Sequence, residues 1–350
     1  MSAATIRVLV ADNARVVEVG GGAVQVDDLG GQPLLPHASA WVRVSQREGL
    51  VEVSGRRAPG LRLRAVGGPG LRVNGREYTG VIEIRRSDDG LLVVNELPLE
   101  EYLAGVLKAE ASEQWGMEML RAQAIVARTY AAYHRQANQA KPFHIVASTL
   151  HQQYAGRVAP DSPIWTAVKE TERQILLWEG QLFPAFYHTD SGGHTEDPRL
   201  VFASNNLPAL PAVRVEFFSG SPYFYWTLDQ SLTELAALLK KGGISVGAIT
   251  RLEVLERSPS LRVMRLVVHG SRGSVTLRGN DFRRLVGYDT LRSTLFAVAV
   301  DGETARFAGR GYGHGAGMDQ WGAKAMAEQG YTARQILEYY YPGAPFSTLP

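Results

Sequence analysis

The stretch MEMLRAQAIVARTYAAYHRQ, residues 117–136, constrains this chain most. It has helical spacing, is rich in alanine and is apolar on nearly every face. A helix with no polar side has nowhere to sit but the middle of its domain. The chain must therefore wrap other elements around it. The preceding run, PLEEYLAGVLKAE, supplies one of them. Leu99, Tyr102, Leu103, Val106 and Leu107 recur at helical spacing, Pro98 opens the run, and Glu100 and Glu101 suit the dipole of a helix N-terminus. ASEQWG, residues 111–116, breaks the pattern between the two helices.

Before these helices the period changes to two. AVQVDDLGG, LVEVSG and LRLRAVGG alternate apolar and polar residues and close on Gly or Asp. Asn74-Gly75 and Asp89-Gly90 each read as the tight turn of a hairpin, because these residues tolerate positive φ. Residues 1–97 thus predict an N-terminal antiparallel β unit. After the helices come the strand-like runs QILLWEG and LFPAFYH. From Trp226 the chain reads as a helix, SLTELAALLKKGG, with a capping box of Ser231 and Glu234. Strands ITRLEVLER, RVMRLVVHG and SVTLRG follow, then a short helix, NDFRRLVG. The C-terminal part reads as a glycine loop and two helices, the last capped by Thr332 with Gln335. The fold class expected is α+β: the β unit 1–97, a core of residues 98–225 plus 293–350 holding the buried helix, and an inserted α+β subdomain, 226–292.

Composition removes several function classes. With no cysteine, disulfides, thiolate metal sites and cysteine nucleophiles are excluded. The net charge is +2 with Lys and Arg dispersed, which argues against a nucleic-acid groove. No apolar run approaches the ~20 residues that span a bilayer. Arg7 and Asp12 lie too close together to enclose a signal-peptide core, so the chain is expected either to stay inside the cell or to start after a removed leader. Neither a G-x-S-x-G elbow nor an H-E-x-x-H motif is present.

Four places carry candidate chemistry. Glu110 ends the first helix, where unsatisfied carbonyls and burial near Leu107 and Trp115 both push a carboxyl pKa upward, as a general acid requires. The alternative is an ordinary surface Glu. Glu113 is the competing acid, expected to be solvated. Gln123, Arg128 and Tyr130 interrupt the buried helix. They read either as the polar floor of a cleft, binding a hydroxyl-rich ligand or orienting Glu110, or, for Arg128, as a structural guanidinium tied to acceptors of its own domain. In AFYHTDSGGHTED, Tyr187, His188, Ser191, Gly192 and Gly193 read as a loop offering hydroxyls and backbone amides to a ligand. His188 and His194 alone do not make a zinc site. In GRGYGHGAGMDQWGA, Gly311, Gly313, Gly315 and Gly317 alternate, which suits close approach to another segment or a ligand, with His314 and Gln320 as the polar groups presented.

Taken together, VVNELPLEEYLAGVLKAE, LRAQAIVARTYA, YHTDSGGHTED, LRGNDFRRLVG and GYGHGAGMDQWGA resemble the SpoIID/LytB family, named for stage II sporulation protein D and a modifier of a cell-wall amidase. The resemblance implies a lytic transglycosylase acting on peptidoglycan glycan strands, with its catalytic acid at Glu110 and a location in the cell envelope. It also implies a second reading, a non-catalytic glycan-binding module that stimulates an amidase. Some members of the family hold zinc near the YH…SGG loop through His and Cys. Here the downstream ligand positions fall near Arg199 and Leu200, so no metal or other cofactor is expected. Ala111-Ser112 stands where the family commonly has Met-Pro.

Overall fold

A computed structural model of the chain describes residues 4–68, 70–217 and 220–350. It is mixed α+β and divides into two compact units, one comprising residues up to Leu176 together with Phe346–Pro350, the other Leu177–Pro345.

The first unit is built on an 11-stranded sheet. Its strands are β1 (Thr5–Ala14), β2 (Val16–Asp28), β3 (Ser39–Arg47), β4 (Leu50–Val53), β5 (Arg56–Ala58), β6 (Gly60–Val66), β7 (Leu71–Val73), β8 (Arg76–Tyr78), β9 (Val81–Ser87), β10 (Gly90–Pro98) and the short β11 (Ile145–Val146). The main path runs β11-β1-β10-β9-β6-β2-β3-β4-β5, with β7 on β2 and β8 on β7. All pairings are antiparallel except β1 with β11. Asn74 and Gly75 take φ of 45° and 88° in the β7–β8 hairpin, as their sequence predicts. The β9–β10 hairpin forms too, but its loop is Asp88-Asp89, and the positive φ falls on Gly90 (154°), where a side chain would meet the backbone of Asn13 and Ala14.

Pro98 ends β10 and caps α1 (Leu99–Glu110), followed by α2 (Met117–Ala137). From Met119 to Ala132 every α2 residue but Arg121 is buried, so the helix is central, as its all-round apolarity requires. The two helices pack on each other, on β1 and on α3 (Ile164–Glu170). Strand β12 (Gln174–Leu176) pairs antiparallel with the C-terminal strand Phe346–Thr348.

The second unit begins with β13 (Tyr187–His188) and α4 (Pro198–Phe202). Next come β14 (Tyr225–Ser231), α5 (Leu232–Lys241), β15 (Ile249–Arg257), β16 (Val263–Gly270), β17 (Gly273–Arg278) and α6 (Gly279–Val286). It closes with β18 (Phe296–Asp301), β19 (Thr304–Arg310), β20 (Met318–Asp319), α7 (Gln320–Glu328) and α8 (Ala333–Tyr340). Two three-stranded antiparallel sheets, β14-β19-β18 and β15-β16-β17, share a core of Trp226, Leu235, Leu266, Phe282, Phe296 and Phe307. The expected box at the start of α5 does not form: Ser231 makes no side-chain cap, and Glu234 instead accepts from Gln230 at 2.9 Å. The Thr332–Gln335 box on α8 does form. Among the described residues no helix is long and apolar enough to cross a membrane.

Candidate functional site

Glu110 ends α1 half-buried, and the segment that covers it comes from far along the chain. Residues 152–155 run beside α1 and are bonded to it repeatedly. The Tyr102 hydroxyl donates to Gln152 Oε1 (3.1 Å), the Ala155 N–H to Gly105 O (3.0 Å), and the Gln153 N–H to Glu110 Oε1 (2.6 Å). Gly105 makes this approach possible. A Cβ there would stand 2.6 Å from Gly156 O and overlap the Tyr154 ring. Tyr154 is anchored in turn, donating to Asn95 Oδ1 on β10 (2.9 Å).

Burial raises the Glu110 carboxyl to about 7, the Gln153 N–H opposing this only in part. Tyr102 and Tyr130 are near enough for the Glu110 charge to help raise their hydroxyl pKas, which burial already lifts. The Tyr130 ring lies 4.4 Å from that of His134, which stands 4.7 Å from His151. Burial lowers His134 to about 3 and lowers His151 as well, so both imidazoles are neutral at physiological pH. Glu113 faces solvent, as expected. It pairs with Lys108 (2.8 Å) and accepts from Ser162 (2.9 Å), and both bonds lower its pKa.

Gln123 and Tyr130 are buried on α2. Arg128 resolves between its two readings. Its Nε and Nη2 form a fork with Glu100 (2.9 and 2.6 Å), and its remaining donors reach the carbonyls of Ala124, Gln174 and Val168 (3.5, 3.1 and 3.3 Å). All of its N–H groups are thereby occupied within the unit, which corrects the reading of Arg128 as a ligand-binding side chain.

The glycine loop and the SGG loop belong to the second unit. Gly311, Gly313, Gly315 and Gly317 all have positive φ, from 69° to 121°. A Cβ at Gly311 would stand 2.6 Å from Asp190 O, and at Gly313 2.7 Å from His188 Cβ; at Gly315 and Gly317 it would overlap Arg262 and the carbonyl of Phe186. The alternation thus lets one segment lie flush on residues 186–190 and on Arg262. The two are laced by Asp190–Tyr312 and Glu196–Gly315 backbone bonds and by the β13–β20 pairing.

The SGG amides do not face a ligand, as the sequence reading had them. Ser191 N–H donates to Asp319 Oδ2 (2.9 Å), Gly192 N–H to Asp190 Oδ1 (2.7 Å) and Gly193 N–H to Ser191 Oγ (3.1 Å). Two buried carboxylates, Asp190 and Asp319, therefore organise the loop from inside. Buried Arg262 sits with them, donating to Ser191 O (2.7 Å) and His194 O (3.2 Å). His188 holds Ala316 O through Nδ1 (3.0 Å) and lies 5.4 Å from the His314 ring; burial keeps both imidazoles neutral. Tyr187 is half-buried beside it and Gln320 is buried at the start of α7. No group of three or more His, Cys, Asp or Glu side chains among the described residues is arranged to hold a metal ion.

A family model described as stage II sporulation protein matches residues 87–178, which include Glu110, α2 and the 152–156 segment. Stage II sporulation protein D of Bacillus amyloliquefaciens is 31% identical over 269 residues, spanning 73% of this chain and 75% of that protein. The chain belongs to the stage II sporulation protein D family. The Bacillus subtilis protein of the same name is 30% identical, over 73% of this chain and 76% of its own length. An amidase enhancer of Bacillus subtilis is 26% identical over 70% of this chain and 40% of its own. Residues 213–317 of this family member match a second model, described as a domain of unknown function (DUF8618).

Sequence reasoning missed the covering segment 152–156 and the Arg262–Asp190–Asp319 centre. One signal for the first was present: a glycine in mid-helix, Gly105, which costs helix stability and so points to another segment coming close.

Proposed function

We propose that this protein is a lytic transglycosylase of peptidoglycan glycan strands, with Glu110 acting first as acid and then as base. The carrying observation is the Glu110 carboxyl, lifted by burial to about 7 and held by the Gln153 N–H. An oxygen that accepts that N–H is the carbonyl oxygen of the protonated acid, so the proton belongs on Oε2. From there it passes to the glycosidic oxygen between N-acetylmuramic acid and N-acetylglucosamine as the C1–O bond breaks. The carboxylate left behind takes the proton of the muramic 6-hydroxyl, whose oxygen closes onto C1. The products are a 1,6-anhydro end and a free 4-hydroxyl, and Glu110 is again protonated. Hydrolysis calls for a second carboxylate to direct water; intramolecular attack does not, and Glu110 can serve as both acid and base. Family membership supports the substrate class, and the cell envelope follows as the location.

The likeness to an amidase enhancer supports a second reading, a glycan-binding partner of a cell-wall amidase without chemistry of its own. Digestion of purified glycan separates the two. Wild type is expected to release anhydro-sugar ends, detected by mass, and Glu110→Gln to release at least 100-fold fewer, the order of a lost acid–base group. Equal release by both would refute the role of Glu110. No release by either, with both sedimenting on cell walls, would favour the enhancer reading.

A further inference from the structure

One face of the β14-β19-β18 sheet is left uncovered in the second unit. In the ladder Tyr225 is paired with Arg310, and Ala308 with both Thr227 and Ala297, so these side chains share a face. Trp226 and Phe296 alternate to the other face and are buried in the core. The open face forms a groove of about 650 Å³. Ala297 and Ala308 make its flat floor. Tyr225, 73% exposed, stands at one side and Leu261, 56% exposed, at another.

The groove is built rather than incidental. Arg257 donates from Nη1 to Leu261 O (2.8 Å) and from Nη2 to Phe296 O (3.0 Å), tying the 258–262 loop to β18 as a wall. Leu261 is held outward at φ 66°, a region disfavoured for a branched side chain. Beneath the floor, the Trp226 ring occupies the space a side chain at residue 309 would need, and its Nε1 donates to Gly311 O (2.9 Å). The lining includes two arginines, Arg257 and Arg310, and no acid.

We propose that this groove is a second carbohydrate site, one that binds an anionic glycan strand away from the reacting bond. The proposal rests on the substrate class given above. An exposed tyrosine beside a flat alanine floor suits the apolar face of a pyranose ring. Arg310, with the N–H groups that Arg257 does not spend on Leu261 O and Phe296 O and with no acid in the lining, complements a carboxylate. Glycan stripped of its peptides carries such a group, the lactyl carboxylate, once in every disaccharide. A peptide adding as a strand along the floor fits less well, since the central strand β19 has its ladder filled on both sides.

The test measures binding in a Glu110→Gln background, where strands stay intact, by sedimentation with amidase-stripped walls, peptide-bearing walls and chitin. Tyr225→Ala and Ala308→Glu, both at exposed positions, are expected to weaken binding to stripped walls roughly tenfold each while leaving thermal unfolding unchanged. Chitin, which lacks the carboxylate, is expected to bind more weakly than stripped glycan. Unaltered binding in both variants, or a loss confined to peptide-bearing walls, would overturn the proposal. Failure of the transglycosylase reading would show instead as missing anhydro ends from the chain with Glu110 intact, a result this binding assay does not depend on.

Discussion

Replacing Glu110 by Gln should stabilise the fold, and only above a particular pH. Glu110 titrates at about 7 in the folded chain, against an ordinary carboxylate value of 4.5. The folded state therefore favours the protonated form. Its contribution is fully present below 4.5 and is lost as pH rises through 7. At ~1.4 kcal/mol per pH unit the full difference is about 3 kcal/mol; water reaches part of the side chain, which reduces it to about 1–2 kcal/mol. Gln keeps a carbonyl oxygen for the Gln153 N–H and carries no charge, so it removes the desolvation cost while retaining that bond. Thermal unfolding of both proteins between pH 4 and 9 measures the difference. Near pH 4 the two midpoints should agree. Through pH 5–7 the variant should draw ahead, and above pH 7 the gap should level off at roughly 1–3 °C. A pH-independent gap, or a variant less stable at pH 8, would show that Glu110 is not a desolvated acid.

Two further changes probe the scaffold. Arg128→Met leaves Glu100 and the carbonyls of Gln174 and Val168 without their donor, and urea unfolding should register a loss of about 3 kcal/mol; a loss under 1 kcal/mol would mean the fork contributes little. Gly105→Ala should destabilise by about 1–3 kcal/mol, because the added methyl meets Gly156 O and the Tyr154 ring. Helix propensity alone would give the opposite sign, a gain of ~1 kcal/mol.

What was legible in the sequence is what neighbouring residues decide. The period of residues 99–107 and 117–136 gave two helices nearly to their ends. Asn74-Gly75 gave a hairpin because its turn is a local matter of φ, and Thr332 with Gln335 gave a cap that spans three residues. Ser231 and Glu234 satisfy the same pattern yet make no cap, and the Glu234 carboxylate accepts from Gln230 instead. Glu110 was legible as an acid at a helix end, but its cover was not. That depends on a backbone N–H 43 residues away, and no spacing rule links Gln153 to it. The SGG loop misled for a related reason. Ser-Gly-Gly implies accessible amides, whereas Asp319, more than a hundred residues on, takes one of them from within.

The β12 ladder also sets how this chain could be taken apart. Leu176 is the register partner of Phe346, and the Leu177 N–H donates to Pro345 O at 3.0 Å. Departure from the first unit and return to it thus occur on adjacent rungs, and the stage II sporulation protein match stops at residue 178, almost on that rung. A short turn joining 176 to 346 would close the strand pair as an ordinary hairpin. Glu110 with its covering segment would then be available as a free-standing piece, while genetic exchange at the same seam could refit the remainder without disturbing the acid.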